Sequence, residues 1–148
     1  MIDASRLASV VLTGESLTRL SPILEADRAQ AVADLEHENH FSLLGTADRP
    51  AQPGPYILHL SVQEGRLVFE MQSLAGSPLT AIVLALGPFR SLIKDYQLLV
   101  DSHMMAVAEG RAERIQAIDM GRRGLHDEGA NLLRKSLFFG GNHCEKVT

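Results

Sequence analysis

Between Tyr56 and Met71 the apolar residues fall on every second position, a pattern that a chain can bury only as strands. Tyr56, Leu58, Leu60 and Val62 point one way, while His59 and Ser61 (with Ile57 as the exception) point the other. Leu67, Phe69 and Met71 repeat the pattern, with Arg66 and Glu70 outward. Gln63-Glu64-Gly65 between the two runs is a turn, because Gly65 can take a positive φ without a steric cost. The spacing predicts a β-hairpin. Residues 73–78 connect it to a third strand, Leu79 to Leu86, which is nearly all apolar and therefore reads as central in the sheet.

Around this hairpin the pattern changes period. Leu7 to Leu12 reads as a first strand ending in a Thr13-Gly14-Glu15 turn. Ser21-Pro22 then opens a helix, serine capping the free N–H groups and proline taking the first helical position. Its apolar stripe holds Leu24, Arg28, Ala31, Val32 and Leu35, its other face Glu25, Asp34, Glu36 and Glu38, and it should end near Asn39. Residues 45–55 carry three prolines and two glycines and read as loop. Gly87-Pro88 starts the longest helix, whose stripe runs Phe89, Leu92, Ile93, Tyr96, Leu99, Val100, His103, Met104 and Val107 until Gly110 stops it. Two shorter helices follow, Arg111 to Met120 with Ile115 and Ile118 inward, and Leu125 to Leu137 with Leu125, Leu132, Leu133 and Leu137 inward. The expectation is one α+β domain over residues 1–139: a small antiparallel sheet of three to four strands packed against three to four helices. Residues 140–148 read as a flexible tail.

A chain of 148 residues can bury a core without a metal or disulfide. Its net charge of −4 argues against nucleic acid or an anionic membrane as a partner. No apolar run is long enough to span a bilayer, and the first residues lack a secretory pattern. With a single cysteine, Cys144, these features point to a cytoplasmic protein. Glu36-His37-Glu38-Asn39-His40 lacks zinc-protease spacing and partner ligands, so it reads as a solvated helix end, and no metal or cofactor is expected. His59, His103, Asp95-Tyr96 and Asp101 each could serve acid–base chemistry, but each is more simply a core-side or surface group. No nucleophile elbow, Cys–His pair or phosphate loop is present.

The segment from Ile118 to Arg134 departs from core-and-surface patterning. It holds Gly121, Gly124 and Gly129 with Asp119, Arg122, Arg123, His126, Asp127 and Glu128. Residues 111–135 contain six basic residues (Arg111, Arg114, Arg122, Arg123, Arg134, Lys135) against four acidic ones (Glu113, Asp119, Asp127, Glu128), a balance of +2. Residues 136–148 balance to zero, which leaves −6 for residues 1–110. Three readings fit. The glycines could form a turn between packed helices, with Arg122 and Arg123 solvated or paired to Asp119 and Glu128. Backbone N–H groups near Gly124-Leu125 could join Arg122, Arg123 and His126 around an anion. Or the two helices could present arginines to DNA, which the acidic remainder of the chain disfavours.

The chain also resembles an uncharacterised protein family of the alphaproteobacteria. The likeness lies in residues 19–41, a Ser-Pro-x-x-Glu helix ending Glu-Asn-x-Phe, in Gly54-Pro55-Tyr56 with Leu58-His59-Leu60-Ser61, and in Arg66-Leu67-Val68-Phe69. It continues through Pro88-Phe89-Arg90 and Lys94-Asp95-Tyr96 and is tightest over residues 114–129, covering about 7–137 in all. The resemblance implies no activity, cofactor or catalytic residue that carries over. Relatives continue into a further apolar helix after the position of Leu137, where this chain diverges; an apolar patch left there would suit a homodimer contact. The function expected is that of a non-enzymatic binding or regulatory protein, using the helical hairpin 114–134 and Asp119, Arg122, Arg123, His126 and Glu128 toward a protein partner. The alternative is a small enzyme or ligand binder for a phosphorylated or carboxylated metabolite, with Arg122 and Arg123 as the clamp and His126 as acid–base.

Overall fold

The computed structural model describes residues 4–14, 22–45, 50–140 and 144–147, with side chains described for all of these except 23, 138–140 and 144–147. The elements run β1 (Leu7–Gly14), α1 (Pro22–His37), β2 (Phe41–Leu43), β3 (Tyr56–Gln63), β4 (Arg66–Ser73) and β5 (Pro78–Ala85). A single 3₁₀ turn (Gly87–Phe89) leads into α2 (Arg90–Glu109), then α3 (Ala112–Gly140) and β6 (Cys144–Val147). The fold is α+β.

Four strands form one sheet in the order β1-β3-β4-β5. The expected hairpin is β3–β4, closed by Glu64 (φ 51°) and Gly65 (φ 73°), with Leu58 opposite Met71 and Leu60 opposite Phe69. Positive φ at both central residues is the turn whose twist matches the flanking strands. β4 and β5 are also antiparallel. Two features differ from expectation. β1 runs parallel to β3, so the sheet is mixed rather than wholly antiparallel; α1 supplies the crossover that a parallel pair requires. β5, for all its apolar content, is an edge strand and not a central one. Ile82 and Leu84 are buried while Val83 is 51% exposed, so only alternate residues of β5 meet the core.

That core fills one face of the sheet. Leu58, Phe69, Met71, Ile82 and Leu84 pack with Phe41, Leu43 and Tyr56 and with Leu137 of α3, joined by Val32 and Leu35 of α1. At one end Leu43 and Phe41 close over Tyr56, whose ring stands edge-on to Phe41 at 5.6 Å. Asn39, just past α1, ties the helix to β1 by accepting from the Leu7 N–H (2.7 Å) and donating to the Leu7 carbonyl (2.8 Å). Glu36 adds a bond from the Val10 N–H at 3.3 Å, and Arg6 donates to the Glu36 carbonyl at 2.9 Å. The expected Ser21 cap lies outside the described residues. The segment read as a tail includes β6, which pairs antiparallel with β2.

Gly110, in the left-handed conformation, ends α2 and donates to the carbonyls of Ala106 and Val107. The chain then continues into α3, which also differs from expectation. The predicted turn between two short helices, and with it the hairpin 114–134, is replaced by one helix that passes through Gly121, Gly124 and Gly129 without a break. A glycine inside a helix costs only about 1 kcal/mol against alanine. Packing of Ile115, Ile118, Leu125, Leu132, Leu133 and Leu137, whose spacings of three, four and seven keep them on one side of the helix, outweighs that penalty. α3 instead packs along α2, with Gly121 against Leu99 and Gly129 against Leu92. No helix among the described residues is long and apolar enough to cross a membrane.

Candidate functional site

Beside the core, the facing surfaces of α1, α2, α3 and the sheet do not meet. They enclose an open cavity of about 470 Å³. Its floor is Leu60, Leu67 and Phe69 of the sheet, continued by Leu86 and Phe89. Leu92 and Ile93 of α2, Leu125 and Leu133 of α3, and Leu24 of α1 form the walls. The space exists because the residues aimed at it from the helices include Ala31, Gly129 and Ala130, where longer side chains would fill it. A volume of this size lies in the roughly 300–1,000 Å³ range of small-molecule sites.

The polar groups of the site gather at the cavity rim. Asp27 on α1 reaches across to α2 and α3. Its Oδ2 accepts from Arg122 Nη1 at 2.6 Å and from the Tyr96 hydroxyl at 3.0 Å. Arg122 also donates through Nη2 to Asp119 Oδ1, one helical turn back, at 3.2 Å. His103 Nε2 stands 3.8 Å from that same Asp119 oxygen, and His103 Nδ1 is buried with no partner among the described residues. The His126 ring lies 5.4 Å from that of Tyr96, tilted by 36°. Asp27, Asp119 and Arg122 are each about one-third exposed or less, so their charges are only partly screened. Burial, and then the bond to Asp27, raise the Tyr96 phenol from its usual 10 to about 12. Tyr96 therefore remains a hydrogen-bond donor across the physiological range.

This arrangement brings together part of the residue set expected from the sequence. Asp119 and Arg122 are paired, and His126 sits beside Tyr96 on the same side of α3. Arg123 and Glu128 are exposed and take no part in the cluster. The residue that sequence reasoning missed is Asp27. It falls at the third step after Leu24 and the fourth before Ala31, a carboxylate inside an apolar stripe, and that interruption was the available signal. Tyr96 and His103 were each noted singly, but nothing in their spacing links them to α1. Chemically the cluster is near neutral or slightly acidic, since two carboxylates face one guanidinium. No three His, Cys, Asp or Glu side chains among the described residues are grouped to hold a metal ion.

Comparison with known proteins matches residues 4–140 to an uncharacterised protein family, UPF0262. The chain is similar to a UPF0262 protein of Granulibacter bethesdensis, with 60% identity over 90% of this chain and 78% of that protein. It is similar also to one of Acidiphilium cryptum, at 56% identity over 89% and 78% of the two chains. A UPF0262 protein of Bradyrhizobium diazoefficiens is 39% identical over 90% and 78%. No solved structure matches.

Proposed function

We propose that this chain, which belongs to the UPF0262 family, is a non-enzymatic binding protein that holds a small apolar-bodied molecule between its sheet and its helices. The observation that carries this reading is the cavity itself, apolar on its floor and walls and polar at its rim. Burying a hydrocarbon surface there releases about 25 cal/mol per Å² of apolar area, without stranding a polar group. The rim groups Tyr96, Asp27 and His126 offer a hydrogen-bonding end for the ligand. On this reading α3 still carries the function, but through the face that includes Arg122, His126, Gly129 and Ala130 rather than through a surface hairpin.

A neutral solvatochromic dye tests the idea. It should bind saturably to the native protein, and Ala130→Phe, which places a ring in the cavity, should weaken that binding at least tenfold, about 1.4 kcal/mol. The same substitution should leave the unfolding midpoint unchanged or raised, because it fills space rather than displacing atoms. Dye binding that ignores Ala130→Phe would remove the cavity from consideration.

The anionic-metabolite alternative, with Arg122, Arg123 and His126 as its site, fits less well. An anion reaching Arg122 must displace Asp27 or Asp119 from a guanidinium they already neutralise. Thermal-shift measurements with phosphate and citrate decide between the two, since a ligand at 100 times its Kd stabilises by about 2.7 kcal/mol. The partner-binding reading retains the exposed Arg123 and Glu128, and pull-down with Arg123→Ala is its test.

A further inference from the structure

β5 leaves one side of the sheet open, and its sequence, Pro78-Leu79-Thr80-Ala81-Ile82-Val83-Leu84-Ala85, has no charge anywhere along it. Natural edge strands are usually blunted by lysine, proline, a bulge or a covering segment, because their unpaired N–H and C=O groups recruit other strands; in β5 the proline, Pro78, and the register shift beside it lie at the start, and the strand from Thr80 to Ala85 pairs with β4 in unbroken register. Which groups are unpaired follows from the turn. In a two-residue hairpin the closing pair, here Gln63 and Arg66, exchanges both backbone bonds. Alternation along β4 then directs Leu67, Phe69 and Met71 toward β5, where they meet Leu84, Ile82 and Thr80. The backbone groups of Leu79, Ala81, Val83 and Ala85 consequently face outward. The Leu79 carbonyl is taken, by Gln52 Nε2 at 3.2 Å. Beyond Ala85 the strand gives way at Gly87 to a 3₁₀ turn, whose Pro88 has no N–H to offer.

What remains open among the described residues is Ala81, Val83 and Ala85, a segment symmetric about Val83. We propose that this edge pairs antiparallel with β5 of a second copy of the chain, across a two-fold axis at Val83. Val83 stands opposite its own counterpart, and Ala81 stands opposite the second copy's Ala85. Each pair exchanges both backbone bonds, so every outward group of the open segment is matched. The side chains of these residues lie on the sheet face away from the core, where all of them are exposed. Alanine meets alanine there, valine meets valine, and no like charges are brought together. A second copy presents the same uncharged segment with the same centre, so one two-fold axis satisfies the outward groups of both chains at once. The result is one continuous sheet of twice the width. The proposal is independent of what the cavity holds.

Light scattering on the native chain should give a mass near twice its 16.1 kDa. Val83→Lys sets two ammonium groups face to face at the axis and should weaken the dimer at least tenfold, with an unaltered circular dichroism spectrum. In a Cys144→Ser background, Val83→Cys should form a covalent dimer on oxidation with diamide. Cα atoms of a bonded antiparallel pair lie about 5.5 Å apart, within the span of a disulfide. Ala81→Cys in the same background should not cross-link, because its neighbour across the axis is the second copy's Ala85. A single-chain mass for the native protein overturns the proposal, as does a dimer indifferent to Val83→Lys. Equal cross-linking at positions 81 and 83 overturns the register and with it the assignment.

Discussion

Asp27 is a charged residue on the inward face of a helix, and it stays there because two donors from two other helices meet it. Removing the stronger donor leaves a partly buried carboxylate without its cation, so Arg122→Ala is expected to lower the unfolding free energy by about 1–3 kcal/mol in urea titrations. Asp27→Asn keeps an acceptor for Tyr96 and should cost less. The two single variants and the double variant should be non-additive, since the residues share one contact. Tyr96 gives a pH signature at the same place. Its phenol titrates at about 12 in the folded chain against 10 unfolded, so the stability it contributes is complete below pH 10 and is lost as pH rises toward 12. Tyr96→Phe should flatten that alkaline decline, and a difference in tyrosinate absorbance between the two proteins locates the step. At this scale the sequence told half of the story. Arg122 and Asp119 are one helical turn apart and could be paired on spacing alone. Their link to Asp27 spans more than ninety positions of chain, and no local pattern encodes it.

Among the elements, α3 shows why composition misleads. Gly121, Gly124 and Gly129 suggested a turn, yet no backbone reversal is required at any of them. The space beside Gly124 is empty, and a methyl group there would touch nothing within 4 Å. Gly124→Ala is therefore expected to stabilise the protein by about 1 kcal/mol, a rise of roughly 2–4 °C in Tm by calorimetry. A loss of stability instead would mean that α3 bends at this position. The hairpin β3–β4 was fully legible, because period-two alternation and the Glu64-Gly65 turn are local signals. β5 was legible as a strand but not as an edge: apolar content reports burial, and Val83 and Ala81 are apolar without being buried. The parallel pairing of β1 was recoverable in principle. A strand, a helix and a second strand in succession favour a parallel pair, and grouping the strands together concealed it.

On the scale of the whole molecule, two kinds of connection hold the sheet. β3, β4 and β5 are joined by short turns, so their pairing closes small loops. β1 must meet β3 across the whole of α1, from Leu7 to Tyr56, at a larger loss of chain entropy. α1 packs chiefly on β1 and reaches the rest of the protein through Asp27 and through Val32 and Leu35, which meet the core. α1 is thus the helix with the fewest anchors among the described residues, and it forms one wall of the cavity. Backbone amides of β1 and α1 should exchange with deuterium by an opening cheaper than global unfolding, and before those of β3 and β4. Arg122→Ala should widen the gap; uniform exchange across the sheet would refute it. An open compartment walled by its least anchored helix has no fixed width. Molecules would enter by the side already open, and the yielding of α1 would set the largest body that the compartment can accept.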